Sequence, residues 1–376
     1  MQMNASVRNP VKPKVAHQQT VKFAHKADPN ALRVKWTLVL LVMALLIGLV
    51  VSVGIGPMNV TMIDSLSVIL ANIGLVDSHV SIAVQSVIES IRLPRSILGM
   101  MVGASLAVCG AAMQGLFRNP LADPGLIGVT GGASLAAVTL IVLGGTSFRF
   151  LYDALGSYTL IIAAFLGAFV TTLLVSKIAT TKFGTSVTSM LLAGIAIGIV
   201  TGAGVGVLTY MADDSQLRTL TFWAMGSLGG ATWPIVLAAS SLIIIPLLCM
   251  PLHAKNLNAL LLGESEARHL GIDVEKVKKQ IILLTAIGVG AAVAVSGMIG
   301  FVGLIVPHIV RLILGPDHRY LLLASALLGA LFLLVADMIS RTIIAPAELP
   351  IGLITTIIGG PFFIAMVIYR TKSHGL

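Results

Sequence analysis

Val102–Gly110 reads V-G-A-S-L-A-V-C-G, and Val289–Gly297 reads V-G-A-A-V-A-V-S-G. About half of the 376 residues separate the two stretches. Similarity at half the chain length points to a duplicated architecture. In a membrane protein, duplication points to transport, because transporters often place a pathway between related halves. Gly and Ala are frequent in membrane helices, so the match by itself leaves coincidence as the alternative.

Working outward, the chain is 57% hydrophobic and 10% charged, with a mean hydropathy of +1.00. Soluble domains carry about 25% charged residues, so this is a polytopic membrane protein. The apolar runs are continuous rather than alternating, which selects helices over a closed barrel. The net charge of +9 fits positively charged loops on the cytoplasmic side better than nucleic-acid binding. Cys109 and Cys249 show neither metal spacing nor a disulfide framework and read as packing residues. Residues 1–35 form a basic tail, expected to be cytoplasmic and disordered. Residues 36–376 form one transmembrane domain.

Ten candidate spans follow: Trp36–Gly56, Ser96–Phe117, Leu126–Ser147, Tyr158–Ser176, Val187–Met211, Ile235–Pro251, Gln280–Gly300, Val302–Leu314, Leu321–Ser340 and Leu349–Tyr369. The eighth is short and contains Pro307. With the tail inside, only Arg92, Arg95, Arg149, Arg218 and Arg341 among the 24 Lys and Arg fall outside. The positive-inside rule is satisfied, with both termini cytoplasmic. Two outer segments, Pro57–Ile91 and Asp213–Trp233, are expected to form surface helices. The first repeat copy lies in the second span and the second in the seventh. An odd number of crossings separates them, so the copies run antiparallel. The fold expected is all-α, with an inverted repeat relating spans two to five to spans seven to ten.

The sequence contains no phosphate-binding loop, metalloprotease motif or nucleophile elbow. Ionisable residues within the spans are scarce, Asp337 being the exception. That weakens an ion-gradient carrier, which places acidic or histidine relays near the midplane. Two polar islands stand out. In F-R-N-P-L-A-D-P-G-L-I-G-V, from Phe117, Asp123 can cap the turn that Pro124 starts. L-G-E-S-E-A-R-H-L-G-I, from Leu262, suits either a short helix facing another protein or a solvated loop.

These islands carry a resemblance. I-R-L-P-R from Ile91, G-A-A-M-Q-G-L-F-R-N-P-L-A-D-P-G from Gly110, G-E-S-E-A-R-H-L-G from Gly263, G-F-V-G-L-I-V-P-H-I-V-R from Gly300 and A-E-L-P-I-G from Ala347 resemble, in order, the FecCD family. These are permease subunits of bacterial ABC importers for iron-siderophores, haem and cobalamin. G-V-G-V-L-T-Y-M-A-D-D-S-Q-L-R from Gly204, M-G-S-L-G from Met225 and G-P-D-H-R from Gly315 look most like the haem permeases.

The resemblance implies a type II ABC importer permease in the inner membrane that moves haem, or alternatively a ferric siderophore or cobalamin. It implies a homodimer, two cytoplasmic ATPase subunits that use ATP and Mg, and a periplasmic haem- or siderophore-binding protein. The chain itself is expected to be no enzyme and to hold no metal. Gly263, Glu264, Ala267, Arg268, Leu270 and Gly271 match the family's ATPase-coupling helix. Arg92 and Arg341 match outer arginines that dock the binding protein, although an i,i+4 pair of Arg341 with Asp337 is the local alternative. Arg95 is equally suited to lipid headgroups. Thr188 and Ser189 match the cytoplasmic gate, with helix capping as the alternative. His79, His308 and His318 are poor candidates for haem ligation, because an importer should not hold its cargo tightly.

Overall fold

The computed structural model describes residues 29–373, except 57, 59, 73, 77–79 and 183. Most of the expected tail, and His79, lie outside the described residues. The first helix, α1 (Pro29–Gly54), starts earlier than expected, so 29–35 is helical rather than tail. Two short helices follow, α2 (Met62–Asn72) and α3 (Ile82–Val87). A π-turn at Ile88–Arg92 then joins α3 to α4 (Leu93–Leu116). The apolar piece around Ile82 is therefore continuous with a 35-residue stretch ending at Leu116, not a separate surface helix. Pro94, in the first turn of α4, gives no N–H to the π-turn, and the Glu89 carbonyl in that turn accepts from Trp233 Nε1 at 2.8 Å.

The chain continues through α5 (Val129–Leu143), α6 (Arg149–Leu155), α7 (Tyr158–Ala179), the two-residue strands β1 (Thr180–Thr181) and β2 (Gly184–Thr185), and α8 (Val187–Met211). Next come α9 (Asp214–Met225), α10 (Trp233–Cys249), α11 (Ala254–Leu262), α12 (Glu264–His269) and α13 (Val274–Ser296). The last three are α14 (Val302–Leu314), α15 (His318–Thr342) and α16 (Ile351–Ser373). Among the described residues, eight helical stretches are long and apolar enough to cross a membrane. The other two expected crossings fall on the shorter apolar helices α5 and α14, which are below that length. α5 is shorter than Leu126–Ser147 for local reasons. Pro124–Ile127 forms a 3-10 turn capped by the Asp123 side chain, and the chain beyond Leu143 turns back on itself through the N–H groups of Thr146 and Phe148.

The two repeat copies lie in the two most buried spans. In α4, 83% of the apolar stretch is buried, and in α13 72%, against 17% in α1 and 11% in α8. Small residues make this possible. A Cβ on Gly103 would lie 2.2 Å from the Gly329 carbonyl oxygen, and one on Gly329 would lie 2.4 Å from that of Gly103. α4 and α15 therefore touch backbone to backbone. The matching position in the second copy, Gly290, faces Ala168 of α7 more loosely, at 3.3 Å. Pairings repeat in the same sense: α4 packs on α15 as α13 packs on α7, and α5 packs on α7 as α14 packs on α15.

Direction follows from what the helix ends touch. The C-terminal end of α4, at Phe117, borders the same cavity as the N-terminal end of α13, at Glu275 and Lys278. At the opposite face, Arg95 of α4 bonds Glu348, while the last residue of α13, Ser296, accepts from Ser227. The two copies are antiparallel, as an inverted repeat requires. Departure comes at the end of the motif: α4 runs on past Gly110, whereas α13 stops before Gly297, whose φ is +67°.

Candidate coupling and gate site

At the face bearing α12, the chain leaves α10 through Pro246 and a 3-10 turn containing Pro251, neither of which suits a continuing straight helix. α11 then buries Leu257 and Leu260. Gly263, at φ +127°, makes the sharp turn into α12. Ala267 is fully buried and fixes α12 to the body, while Gly271, at φ +82°, releases the chain towards α13. Asp273 caps α13 by accepting from the Lys276 N–H at 3.0 Å. Leu262 and Leu270 are exposed on either side of α12. The Arg268 side chain is about half exposed and lies 3.9 Å from Glu264. All six residues expected in the coupling helix thus lie on one short segment, anchored by Ala267 and with an exposed apolar and charged surface.

Thr188 and Ser189 lie exposed in the first turn of α8. Neither is the cap. Ser186 caps α8, accepting from the Ser189 N–H at 3.2 Å. Immediately before it, the β1–β2 hairpin pairs Thr180 with Thr185 and Thr181 with Gly184. A cavity of about 480 Å³ opens between this hairpin and α12, lined by Arg118, Thr188, Arg268 and Glu275 among others. The sequence treats the residues expected to couple and those expected to gate as separate features, and the structure places Glu264 and Arg268 of the first set and Thr188 of the second on this one cavity.

Lys278 joins them. Its side chain is buried, and Nζ donates to the Thr185 carbonyl at 2.6 Å, to Glu264 at 2.8 Å and to Glu275 at 3.2 Å. Glu275 in turn accepts from the Thr185 N–H at 2.8 Å. Sequence reading missed Lys278 and Glu275. Their i,i+3 spacing hints at a local pair, but nothing local points to Thr185 or Glu264.

The opposite face carries a second buried ionic group. Arg95 bonds Asp337 at 2.9 Å and both oxygens of Glu348, at 2.8 and 2.9 Å. Arg341 lies 3.0 Å from Asp337 and donates to Ser52 Oγ at 2.8 Å. Arg92 donates to the carbonyls of Val53, Gly54 and Met58 at 2.6–2.9 Å. Arg92 and Arg341 are 4% and 3% exposed, so neither presents its charge at the surface. The local pairing of Arg341 with Asp337 is present. Arg95 does not reach for lipid headgroups, because Asp337 and Glu348 hold it inside the protein. His318 is buried with Nδ1 2.9 Å from Asn258, and the His308 ring meets Phe362 edge-on.

The profile of the FecCD transport family matches residues 44–369. The chain belongs to this family. Among its FecCD relatives, the hemin transport system permease protein HmuU of Yersinia pestis is 47% identical over 76% of this chain and 84% of its own length. The vitamin B12 import system permease protein BtuC of Vibrio vulnificus is 43% identical over 76% of this chain and 83% of its own. A solved structure, described as an inward-facing conformation of a transporter assigned to the metal-chelate ABC type, superposes with a TM-score of 0.77. It is 31% identical, covering 89% of this chain and 99% of the other. This is a FecCD permease with the type II ABC importer fold, multi-pass in its membrane.

Proposed function

We propose that the chain is the transmembrane subunit of an ATP-driven importer that moves haem across the bacterial inner membrane, from periplasm to cytoplasm. One observation carries the reading: an exposed short helix, α12, meets the first turn of α8 across a single cavity. A partner that pushes on α12 can thereby reach the helix expected to gate the path. The face bearing α12 is then cytoplasmic, together with both termini, and the face bearing Arg95 is periplasmic.

In this reading two copies of the chain enclose the pathway, and two ATPase subunits bind the α12 helices. ATP and Mg act on those partners. Only 11% of the apolar stretch of α8 is buried within one copy. Gly202 and Gly206 on that helix have nothing within 4 Å of an added Cβ. Glycines on an exposed apolar helix suit a second copy or a pathway, since small residues allow close helix approach. Nucleotide-driven closure of the ATPases moves α12, and the permease halves follow as rigid bodies. A haem-loaded binding protein docks on the periplasmic face. Arg92 and Arg341 serve it by fixing the backbone of the loop after α1, rather than by offering free charges.

Haem rests on the likeness to the hemin permease, and cobalamin or a ferric siderophore is the competing cargo. Uptake of haem, cobalamin and a ferric siderophore by cells expressing the complete importer separates them. The reading expects haem uptake that the other two do not compete away. Competition by cobalamin alone would reassign the cargo.

A further inference from the structure

The three N–H donors of a lysine ammonium are fully used at Lys278, and each goes to a different segment. Glu264 belongs to the first turn of α12, the Thr185 carbonyl to the β1–β2 hairpin, and Glu275 to the first turn of α13. Glu275 also accepts from the N–H of Thr185 itself. Both backbone polar groups of Thr185, its N–H and its C=O, are therefore gripped from α13, one residue before the Ser186 cap and three before Thr188. Only 3% of the Lys278 side chain is exposed, and a buried charge that loses a charged partner is disfavoured. Motion of α12 away from α13 must then either draw Lys278, and the hairpin bonded to it, along or cost the ammonium its Glu264 partner.

Resting on the importer reading above, we propose that Lys278 is the positioning residue that transmits displacement of α12 to the β1–β2 hairpin leading into the expected gate, so that the two segments move as one unit. The physical warrant is a single buried donor whose bonds both segments share, rather than mere proximity.

The test has two arms. In the first, hydrogen exchange is measured on the full chain in lipid nanodiscs, without any partner. Lys278→Met should raise exchange at 184–189 and 264–271 together, and Lys278→Arg should restore both. Glu264→Gln, a change at a partly exposed position that keeps an acceptor, is the variant least prone to misfold and should raise both to a smaller degree. Exchange that rises in one segment alone, or in neither, overturns the tether. In the second arm, the complete importer in liposomes is supplied with haem-loaded binding protein. Lys278→Met should raise the ATP hydrolysed per haem transported about tenfold, within the usual range of coupling between sites, and Lys278→Arg should recover part of that loss. An unchanged ratio, with uptake and hydrolysis falling in parallel or not at all, overturns the transmission role. If the wild-type complex shows no ATP-driven uptake, the importer reading fails, and the exchange arm still decides the tether.

Discussion

A Cβ placed on Gly110 would lie 1.9 Å from the carbonyl oxygen of Gly303. α4 and α14 cross there with no room for a side chain, and the obstacle is backbone that cannot rotate away. Gly110→Ala should destabilise the protein by about 3 kcal/mol or more, at the upper end for overpacking. Gly145→Ala, where an added Cβ meets nothing within 4 Å, should leave the melting temperature unchanged. Thermal melts of the two purified variants check this, and equal melts would contradict the crossing.

Arg341 and Asp337 are a buried pair, 3.0 Å apart. Removing one partner of such a pair costs about 3–5 kcal/mol. Arg341→Ala should lower the melting temperature strongly, and Asp337→Asn combined with Arg341→Ala should cost less than the sum of the single changes. Affinity for the binding protein should fall together with stability. A salt-dependent loss of affinity with an unchanged melt would instead make Arg341 a direct surface anchor.

Arg268 gives the opposite pattern. Its pair with Glu264 is 3.9 Å long and solvent-exposed, and such pairs contribute about 0–1 kcal/mol. Arg268→Glu should leave the melt in place while abolishing co-purification with the ATPase and ATP-driven uptake. Unchanged uptake would remove α12 from the coupling role.

The cap of α9 is sensitive to acid. The N–H of Gln216 and the hydroxyl of Ser215 hold the Asp213 carboxylate below its ordinary range. A lowered folded value means that the cap's contribution is complete above the usual carboxylate range and is lost as pH falls through the folded value. Gln216 returns a bond to the Asp213 N–H and reaches the Val142 carbonyl at the end of α5. Amide protection in the first turn of α9, taken relative to the intrinsic exchange rate at each pH, should fall on acidification below about pH 4. Asp213→Asn should keep the cap and remove that pH dependence, and Asp213→Ala should fray the turn at every pH.

Crossings were legible because each depends on a local run of apolar residues. All ten fall on helices, including the short α14 around Pro307. Direction was legible because it needs only a count. The contacts between distant segments were not. Arg95 and Glu348 are 253 residues apart in sequence, and the residues flanking Arg95 describe only a helix start. Lys278 reads as the polar lead-in to an apolar span that begins at Gln280. Its burial depends on the hairpin before α8 folding over it, which no periodicity in either segment reveals. Ser186 rather than Thr188 or Ser189 caps α8, a difference decided by where the hairpin's last bond falls.

The most direct measurement of the account is uptake by liposomes holding the purified chain with its ATPase, supplied with haem-loaded binding protein. The account predicts uptake that requires hydrolysable ATP and persists when proton and sodium gradients are collapsed. Uptake that continues with a non-hydrolysable analogue, or that stops with the gradients while ATP is still hydrolysed, would contradict it and make the chain an ion-driven carrier.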